Sequence, residues 1–451
     1  MAFQQRARRV TALPRWSLAF AVMALVAMLL SLGSALAGAS FSGGPGSPAV
    51  TAAGELAARN ERITFFEGRA AADPIDYVSR NILAVQYLQR ARETGDLSEY
   101  GRAEAAAEAS LSILPRDNAG GLIALASVQL SRHAFAEAKE TAAAVIALRP
   151  LDATGYSLRS DANAALGRYE EAAADLQKMV QVQPGLPAFS RLAHLAFLQG
   201  DLVNAKDFWR QALAKDDGLP LENRAWVQVQ LGELHRSVGE LAQAEKSYRA
   251  ALTTFPDYVH ALAGLAYVRA TQGRWQDAIA LFESVQRRLP QPLHLAALGD
   301  VYRKAGRTAE AEQQYELVEA VDSLYRSNGI NTDLALARFY TDHDRGLERA
   351  LDMAQQTYAA APGVYAADAL AWALYKAGRY QEAGTLSDEA MRLGTPEPAF
   401  YFHAGMIHYA LGEDAPAAAL LDKALKLNPR FSLLQADFAR QTLARIKGAR
   451  P

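Results

Sequence analysis

The sequence predicts an all-α solenoid, a stack of about ten helix-turn-helix units that follows an apolar N-terminal segment. Two observations predict this fold. Glycines recur at intervals close to 34 residues, and each is followed by alanine after five positions and usually by a large apolar residue after nine. Prolines close many of the intervals, as at the pairs Pro150/Pro184 and Pro256/Pro290. The glycines in this register are Gly167, Gly200, Gly239, Gly273, Gly306, Gly378 and Gly412.

Residues 1–37 are predicted to be a signal peptide or a membrane anchor. The first 15 residues carry four arginines, and no charged residue occurs between Trp16 and Gly54. The apolar run Leu18–Ala37 is long enough to span a bilayer, and its small-residue end also suits cleavage before Gly38. Both alternatives stay open. Both predict export of the rest of the chain to a periplasmic or other extracytoplasmic space, with residues 38–54 as a flexible linker.

Each feature of the repeat has a physical reason. Glycine at the turn supplies the positive φ that ends the first helix, and alanine five positions later lets the two helices approach closely. The large apolar residue one turn further fills the groove to the next unit. Proline ends the second helix, because it lacks a backbone N–H and restricts the residue before it. A single unit cannot bury its apolar face, so the units are expected to stack.

At these positions the chain resembles the tetratricopeptide repeat (TPR) family, whose unit is 34 residues long. The segments Leu298–Glu316 and Leu231–Leu252 carry the resemblance best, and about ten units fit between Ile75 and Asn428. The first unit has an enlarged turn. The eighth unit, Asn331–Pro362, lacks the turn glycine.

The repeat register divides the chain into two blocks. Residues 55–320 are predicted to hold a leading helix and units 1–7, and residues 331–430 are predicted to hold units 8–10. Between them, at 321–330, we expect an irregular connection, where the second helix of unit 7 runs on towards a turn at Ser327–Asn331 and the solenoid changes direction. Residues 431–451 are predicted to form a capping helix and tail, because their apolar residues follow a helical period.

Composition and motifs argue against an enzyme and against nucleic-acid binding. The chain has no cysteine, and its net charge of −2 does not provide the basic surface that a duplex requires. Phosphate-binding loops, nucleophile elbows and zinc-protease motifs do not occur in the sequence. We therefore predict a non-enzymatic protein that needs no cofactor.

One alternative from another functional class remains, a metal-handling accessory protein. His343, Asp368 and His403 lie on the predicted first helices of units 8, 9 and 10. First helices stack side by side, so the three side chains are candidates to converge on the inner wall. A set of histidine and carboxylate ligands suits Zn²⁺ or Ni²⁺.

The resemblance implies a concave groove, lined by first helices, that accepts a protein or peptide segment. No unit has asparagine at the places that the family uses to clamp a partner's C-terminal carboxylate, so capture of chaperone tails is not implied. The inward positions of the later units are rich in aromatic residues, which make good binding anchors. Of these, Trp372 and Phe402 are expected to be exposed to the groove. The full predicted set is Tyr267, Phe339, Tyr365, Trp372, Tyr375, Phe402 and Tyr409.

The last 130 or so residues are also similar to uncharacterised exported bacterial TPR proteins, in segments such as ADALAWALYKAGRY and FYFHAGMIHYALG. The sequence therefore predicts an exported scaffold that binds a protein partner. Assembly or maturation of a membrane or envelope complex is the expected task, with contact to the membrane through the N-terminal segment if that segment is not cleaved.

Overall fold

The computed structural model describes residues 51–215 and 218–448. In these two ranges all regular secondary structure is helical and forms 22 helices. The predicted signal or anchor segment, Leu18–Ala37, lies outside the described residues. Among the helices of the described ranges, none is long and apolar enough to cross a membrane.

The helices form ten successive pairs, units 1–10, with one helix before them and one after. The leading helix is α1 (Ala52–Ala72), and the last is α22 (Gln435–Ile446). Units 1–5 consist of α2 (Tyr77–Thr94), α3 (Ser98–Ile113), α4 (Ala119–Ser131), α5 (Phe135–Leu148), α6 (Ala153–Ala165), α7 (Tyr169–Val182), α8 (Leu186–Leu198), α9 (Leu202–Leu213), α10 (Leu221–Ser237) and α11 (Leu241–Thr254). Units 6–10 consist of α12 (Val259–Thr271), α13 (Trp275–Arg288), α14 (Pro292–Lys304), α15 (Thr308–Ser327), α16 (Asp333–Asp342), α17 (Leu347–Ala360), α18 (Val364–Lys376), α19 (Tyr380–Met391), α20 (Pro398–Ala410) and α21 (Asp414–Leu427).

The turn within a unit has the backbone geometry that its glycine predicts. In unit 3, Gly167 has a φ of 72° and donates its N–H to the carbonyl of Ala164. The next N–H, of Arg168, donates to the carbonyl of Asn163 at 2.8 Å, which completes a Schellman motif. In unit 2 the same left-handed position is occupied by His133, with a φ of 65°. The turn is therefore kept where the glycine is missing.

The predicted alanine and aromatic positions form the core between the helices. Ala205, five residues after its turn glycine, is fully buried, and Trp209 four residues later is 3% exposed. Tyr248 holds the same place in unit 5, with its ring against the backbones of Gly232 and Gly264 on two first helices. Small residues on the first helices thus make room for large ones on the second.

Helix α1 covers the first unit and also reaches the fifth. Its Arg59 forms a buried ion pair with Glu93 of α2, with Nη2 and Oε1 2.8 Å apart. Its Glu55 accepts a hydrogen bond from the backbone N–H of Leu221, at the start of α10. The helix begins at Ala52, so the last three residues of the predicted linker 38–54 are helical. Thr51 provides the reason, because its side chain caps the helix by accepting from the N–H of Gly54.

The junction between units 7 and 8 is less irregular than expected. Helix α15 continues for 20 residues to Ser327, as predicted for the second helix of unit 7. Residues 321–327, which were assigned to an irregular connection at 321–330, are therefore helical. Val321 and Tyr325 explain the difference, because both side chains are buried against the core. The chain then turns through Gly329, which has a φ of 73°.

The stack coils so tightly that turns of the early units contact connections of the late units. In unit 3 the hydroxyl of Tyr169 accepts from the N–H of Val364, which follows unit 8. After unit 9, the hydroxyl of Thr395 donates to the carbonyl of Leu198 in unit 4 at 2.8 Å. Units 1, 2 and 5 meet the connections after units 6, 7 and 10 in the same way, through the pairs Gly95–Leu289, Arg132–Gly329 and Arg236–Asn428.

We call this line of contacts the seam. Each turn within units 1–5 meets the connection that follows the unit five places later. The residues that meet are 192–197 positions apart at Arg236–Asn428, Thr395–Leu198 and Tyr169–Val364. One turn of the coil therefore takes between five and six units. As a result, the concave side of the solenoid is enclosed along the seam.

Candidate functional site

The seven aromatic residues predicted to line the groove divide into two groups. Phe339, Tyr365, Trp372 and Phe402 are buried, with exposures of 6%, 5%, 4% and 1%. Tyr267, Tyr375 and Tyr409 are half-buried and reach solvent. The expectation that Trp372 and Phe402 are exposed to the groove is wrong. These rings fill the space between neighbouring first helices, where Trp372 lies 5.6 Å from Phe402.

The three half-exposed tyrosines have a common position in the fold. Each lies on the last one or two turns of a first helix: Tyr267 on α12, Tyr375 on α18 and Tyr409 on α20. We call these three residues the tyrosine rim. The ring of Tyr375 stacks on Trp372, with centroids 4.6 Å apart and planes 4° from parallel, and Arg236 lies 4.9 Å from the ring of Tyr267. Neighbouring side chains therefore hold the rings of Tyr375 and Tyr267 in place.

Asp342 connects Trp372 to α22, the helix that follows unit 10. Its Oδ1 accepts a hydrogen bond from Nε1 of Trp372 at 3.1 Å. The same oxygen accepts from Nε2 of Gln435, on α22, at 2.7 Å. A buried indole N–H needs an acceptor, and this acceptor is shared with the terminal helix.

Residues 428–446, which we call the strap, cross the ends of several first helices. The side-chain amide of Asn428 donates to the last carbonyls of α10, at 3.0 Å from Arg236 O. Arg430 donates to the carbonyl of Thr271, the last residue of α12, at 3.1 Å. Helix C-termini have unpaired carbonyls and attract cations, so both contacts are favourable.

The strap continues across two further helix ends. Asp437 is paired with Lys304, the last residue of α14, at 3.3 Å, and Gln435 reaches Asp342, the last residue of α16. The ring of Phe431 lies 5.6 Å from Phe402 of unit 10. The strap therefore contacts units 5, 6, 7 and 8 at the ends of their first helices, and unit 10 at Phe402. The predicted capping helix lies in this region, as α22.

The candidate metal ligands are not brought together. Asp368 and His403 form a buried pair, with Oδ1 and Nδ1 2.9 Å apart. His343 instead pairs with Asp300 of α14, with Nε2 and Oδ1 2.8 Å apart. Within the described ranges, no group of three histidine, aspartate or glutamate side chains is arranged to hold a metal ion. This geometry does not support the metal-handling alternative.

The surroundings of His343 favour the charged form of its ring. Nε2 faces the carboxylate of Asp300, and Nδ1 faces the carbonyl of Phe339 at 2.7 Å. Both neighbours only accept hydrogen bonds, so both ring nitrogens must donate, and only the imidazolium has two N–H groups. Burial opposes this charge, but the hydrogen bond and the charge of Asp300 outweigh it, and the pKa of His343 is raised.

Other histidines inside the coil behave in the opposite way. Burial, with a smaller contribution from His260, lowers the pKa of His294 to about 3. Burial also lowers the pKa of His194 well below its ordinary value. These two rings are therefore neutral at physiological pH.

Sequence reasoning missed the residues that hold the strap: Asn428, Arg430, Gln435 and Asp437. None of them has a special place in the repeat register, and the helix ends that they contact are up to 192 residues away in the chain. A helical period over residues 431–447 identifies the last helix but not the surface that it covers. The signal that could have found the contact is the pair of polar residues, Asn428 and Arg430, directly after the last repeat.

The sequence is similar to parts of longer known proteins. Cellulose synthase operon protein C from Xanthomonas axonopodis pv. citri (strain 306) is 31% identical over 200 residues, which are 44% of this chain and 11% of that protein. Human protein O-mannosyl-transferase TMTC1 is 25% identical over 225 residues, 48% of this chain and 24% of that protein. The chain thus spans a quarter or less of the length of these relatives.

Solved structures also align with the chain. A tetratricopeptide repeat protein from Parabacteroides merdae has 18% identity and a TM-score of 0.35, and the alignment covers 58% of this chain and 98% of that one. PilW, a type IV pilus biogenesis factor, has 16% identity and a TM-score of 0.39, with 45% of this chain and 92% of that one covered.

The tetratricopeptide repeat family matches the chain directly at residues 123–187, 229–292 and 369–430. These three regions coincide with the helix pairs of units 2–3, 5–6 and 9–10. Helix pairs, turn geometry and family matches agree, and over these three regions the chain consists of tetratricopeptide repeats.

Proposed function

We propose that the protein is a non-enzymatic, exported scaffold that binds a protein or peptide segment at the tyrosine rim. The tyrosine rim itself carries the proposal. Tyr375 and Tyr409 offer part of their rings to solvent, and Trp372 stacks behind Tyr375. Rigid aromatic side chains bury much area on binding and lose little conformational entropy, so they are typical anchors of protein interfaces.

The chemistry of the interior supports a binding role over a catalytic one. The buried polar side chains that we describe contact each other, as in the pairs Asp161–Arg191 and Asp368–His403. Arg191 and Asp161 pair with each other inside the fold through two hydrogen bonds, an arrangement typical of a structural pair. The TPR fold is in general a framework for protein–protein contacts, which points to the same role.

Export and work on a membrane or envelope complex are the finer parts of the proposal. They are supported by the apolar run Leu18–Ala37, which follows a basic N-terminus. The relative named for the cellulose synthase operon is compatible with such a task. In this proposal the chain stays attached to the membrane if the run is retained and is free in the exported space if it is removed.

Site-specific photo-crosslinking in native cells tests the binding site. A photoreactive phenylalanine analogue replaces Tyr375, and the matched control replaces Tyr156, a partly exposed tyrosine on a first helix of unit 3. We expect a discrete crosslinked partner at position 375 and none at position 156. The same pattern at both positions, or no product at position 375, would contradict binding at the rim.

A second measurement tests the export step. N-terminal sequencing of the protein from native cells, together with protease access to intact spheroplasts, determines the fate of residues 1–37. A start at Gly38 with access to protease indicates an exported, cleaved form, and an intact N-terminus with the same access indicates an anchored form. A full-length chain that protease reaches only after lysis would exclude export.

A further inference from the structure

The strap covers two buried aromatic residues, Trp372 and Phe402, that lie behind the tyrosine rim. Phe431 covers Phe402, and Gln435 shares the acceptor Asp342 with Trp372. The strap also brings Leu443 and Ile446 against the cluster that contains Trp372 and Met406. The strap therefore packs on this set of large apolar rings and on a carboxylate, Asp342, that accepts hydrogen bonds from both sides.

The strap is held by contacts that can be released without opening the rest of the core. The side chains that α22 buries are small, namely Ala436, Ala439 and Thr442. The larger apolar residues of the strap are only partly buried, namely Phe431, Leu433, Leu443 and Ile446. The ion pair of the strap joins Lys304 and Asp437, whose side chains are 32% and 57% exposed, and such exposed pairs contribute little to stability.

We propose that the strap occupies an extension of the partner site, at the buried aromatic residues behind the tyrosine rim, and that a partner segment of the same chemistry displaces it. This inference rests on the proposed binding function. The incoming segment carries an aromatic residue in the place of Phe431, aliphatic residues at the spacing of Leu433 and Leu434, and an amide in the place of Gln435. It continues as a short amphipathic helix, as the strap does from Gln435 to Ile446.

Tethering explains why the strap occupies the site in the free protein. A segment joined to its site by a short connection has an effective concentration of about millimolar. A competitor in solution therefore binds weakly until the strap is loosened or the competitor has better contacts. Loosening the strap should raise the affinity for a competing segment, and locking it should abolish binding.

A synthetic peptide of residues 428–447, labelled with a fluorophore, is the probe. Phe431→Ala in the full chain removes the ring contact with Phe402, and Gln435→Ala removes the hydrogen bond to Asp342. The matched control is Phe438→Ala, since Phe438 is on the same helix and is 47% exposed. We expect both loosened variants to bind the peptide at least about tenfold tighter than the wild type, and Phe438→Ala to bind like the wild type.

The locked state uses the absence of native cysteines. Lys304→Cys/Asp437→Cys introduces the only two thiols, and a short thiol-reactive crosslinker with a reducible bond joins them. We expect the locked protein to lose peptide binding and to regain it after reduction. Equal binding to locked and reduced protein would overturn the inference, as would wild-type affinity in both loosened variants when their melting curves show that they are folded.

Crosslinking at position 375 separates this inference from the proposed function. If the cellular partner is captured equally by locked and reduced protein, the rim binds a partner but the strap does not control it. If the peptide binds only to the loosened and reduced forms while no cellular partner is captured, displacement of the strap is supported and the partner-binding function is not. Capture that rises in Phe431→Ala and falls in the locked protein supports both.

Discussion

The imidazole of His343 and the carboxylate of Asp300 join the first helices of units 8 and 7, with Nε2 and Oδ1 2.8 Å apart. Tyr315 adds a hydrogen bond to the same oxygen at 2.7 Å. The pair replaces the metal site that the positions of His343, Asp368 and His403 suggested. Its consequence is a measurable dependence of stability on pH.

We expect Asp300→Asn to destabilise the protein by about 1.5–3 kcal/mol near pH 6, because a charged, largely buried hydrogen bond is lost. The pKa of His343 is raised in the folded state. Its contribution is therefore complete below the unfolded pKa of about 6.5 and disappears as the pH rises through the folded pKa. Urea unfolding at pH 6 and pH 9 should show the larger effect at pH 6.

Asp344→Asn is the control for this prediction. Asp344 pairs with Lys376 on the surface and is 68% exposed, so its loss should change stability by less than about 1 kcal/mol at either pH. An effect of Asp300→Asn that grows with pH would contradict the charged state of His343.

His294 should contribute in the opposite direction. Burial lowers its pKa to about 3, so its stabilising effect is complete above the unfolded pKa of about 6.5 and is lost as the pH falls towards the folded value. Between pH 6.5 and pH 5 the loss is about 2 kcal/mol. In His294→Leu, the free energy of unfolding should change correspondingly less over this range, and a slope equal to that of the wild type would exclude this assignment.

The turn glycine of unit 3 should be more sensitive than an equivalent glycine away from the seam. A Cβ at Gly167 would stand 2.5 Å from the carbonyl oxygen of Pro362, whereas a Cβ at Gly378 would have no neighbour within 4 Å. Both residues have a φ near 75°. Gly378→Ala should therefore cost about 1–2 kcal/mol, and Gly167→Ala about 1–3 kcal/mol more. Thermal unfolding of the two variants measures this difference. Equal losses of stability would show that the seam can accommodate a Cβ at Gly167.

Trp372 and Tyr375 should separate stability from binding. Trp372→Ala empties a buried site and should cost about 3–5 kcal/mol. Tyr375→Ala removes a partly exposed ring and its stacking contact, which should cost about 1 kcal/mol. The purified Tyr375→Ala variant should thus have the circular dichroism spectrum of the folded wild type. It should no longer capture the partner that the wild type captures. Retention of that partner would place the contact elsewhere.

The sequence predicted the units better than their arrangement. Gly167, Ala172 and Leu176 describe contacts within a unit and with the next one, and such contacts repeat at a fixed interval. The pitch of the coil depends on a small rotation between neighbouring units, which adds up over five units and leaves no periodic signal. The seam contact of Tyr169 with Val364 therefore could not be read from the repeat.

The burial of the candidate site residues was predicted in part, for a similar reason. The helical register correctly located Tyr267, Tyr375 and Tyr409 on first helices, and the structure leaves these three partly exposed. Register gives the direction of a side chain but not the depth at which it lies, so Trp372 and Phe402 could not be distinguished from exposed residues. The depth depends on Phe431 and Gln435, which lie beyond the last unit.

The seam also determines when the protein can finish folding. In most solenoids each repeat depends only on its neighbours, so the first repeats can fold as soon as they emerge. Here the turns of units 1–5 receive their partners only when the connections after units 6–10 have appeared, almost 200 residues later. At a synthesis rate of about 5–20 residues per second, the first half waits roughly 10–40 seconds for these contacts. Contacts of such long range slow folding and make unfolding all-or-none, so the ten repeats should behave as one cooperative body.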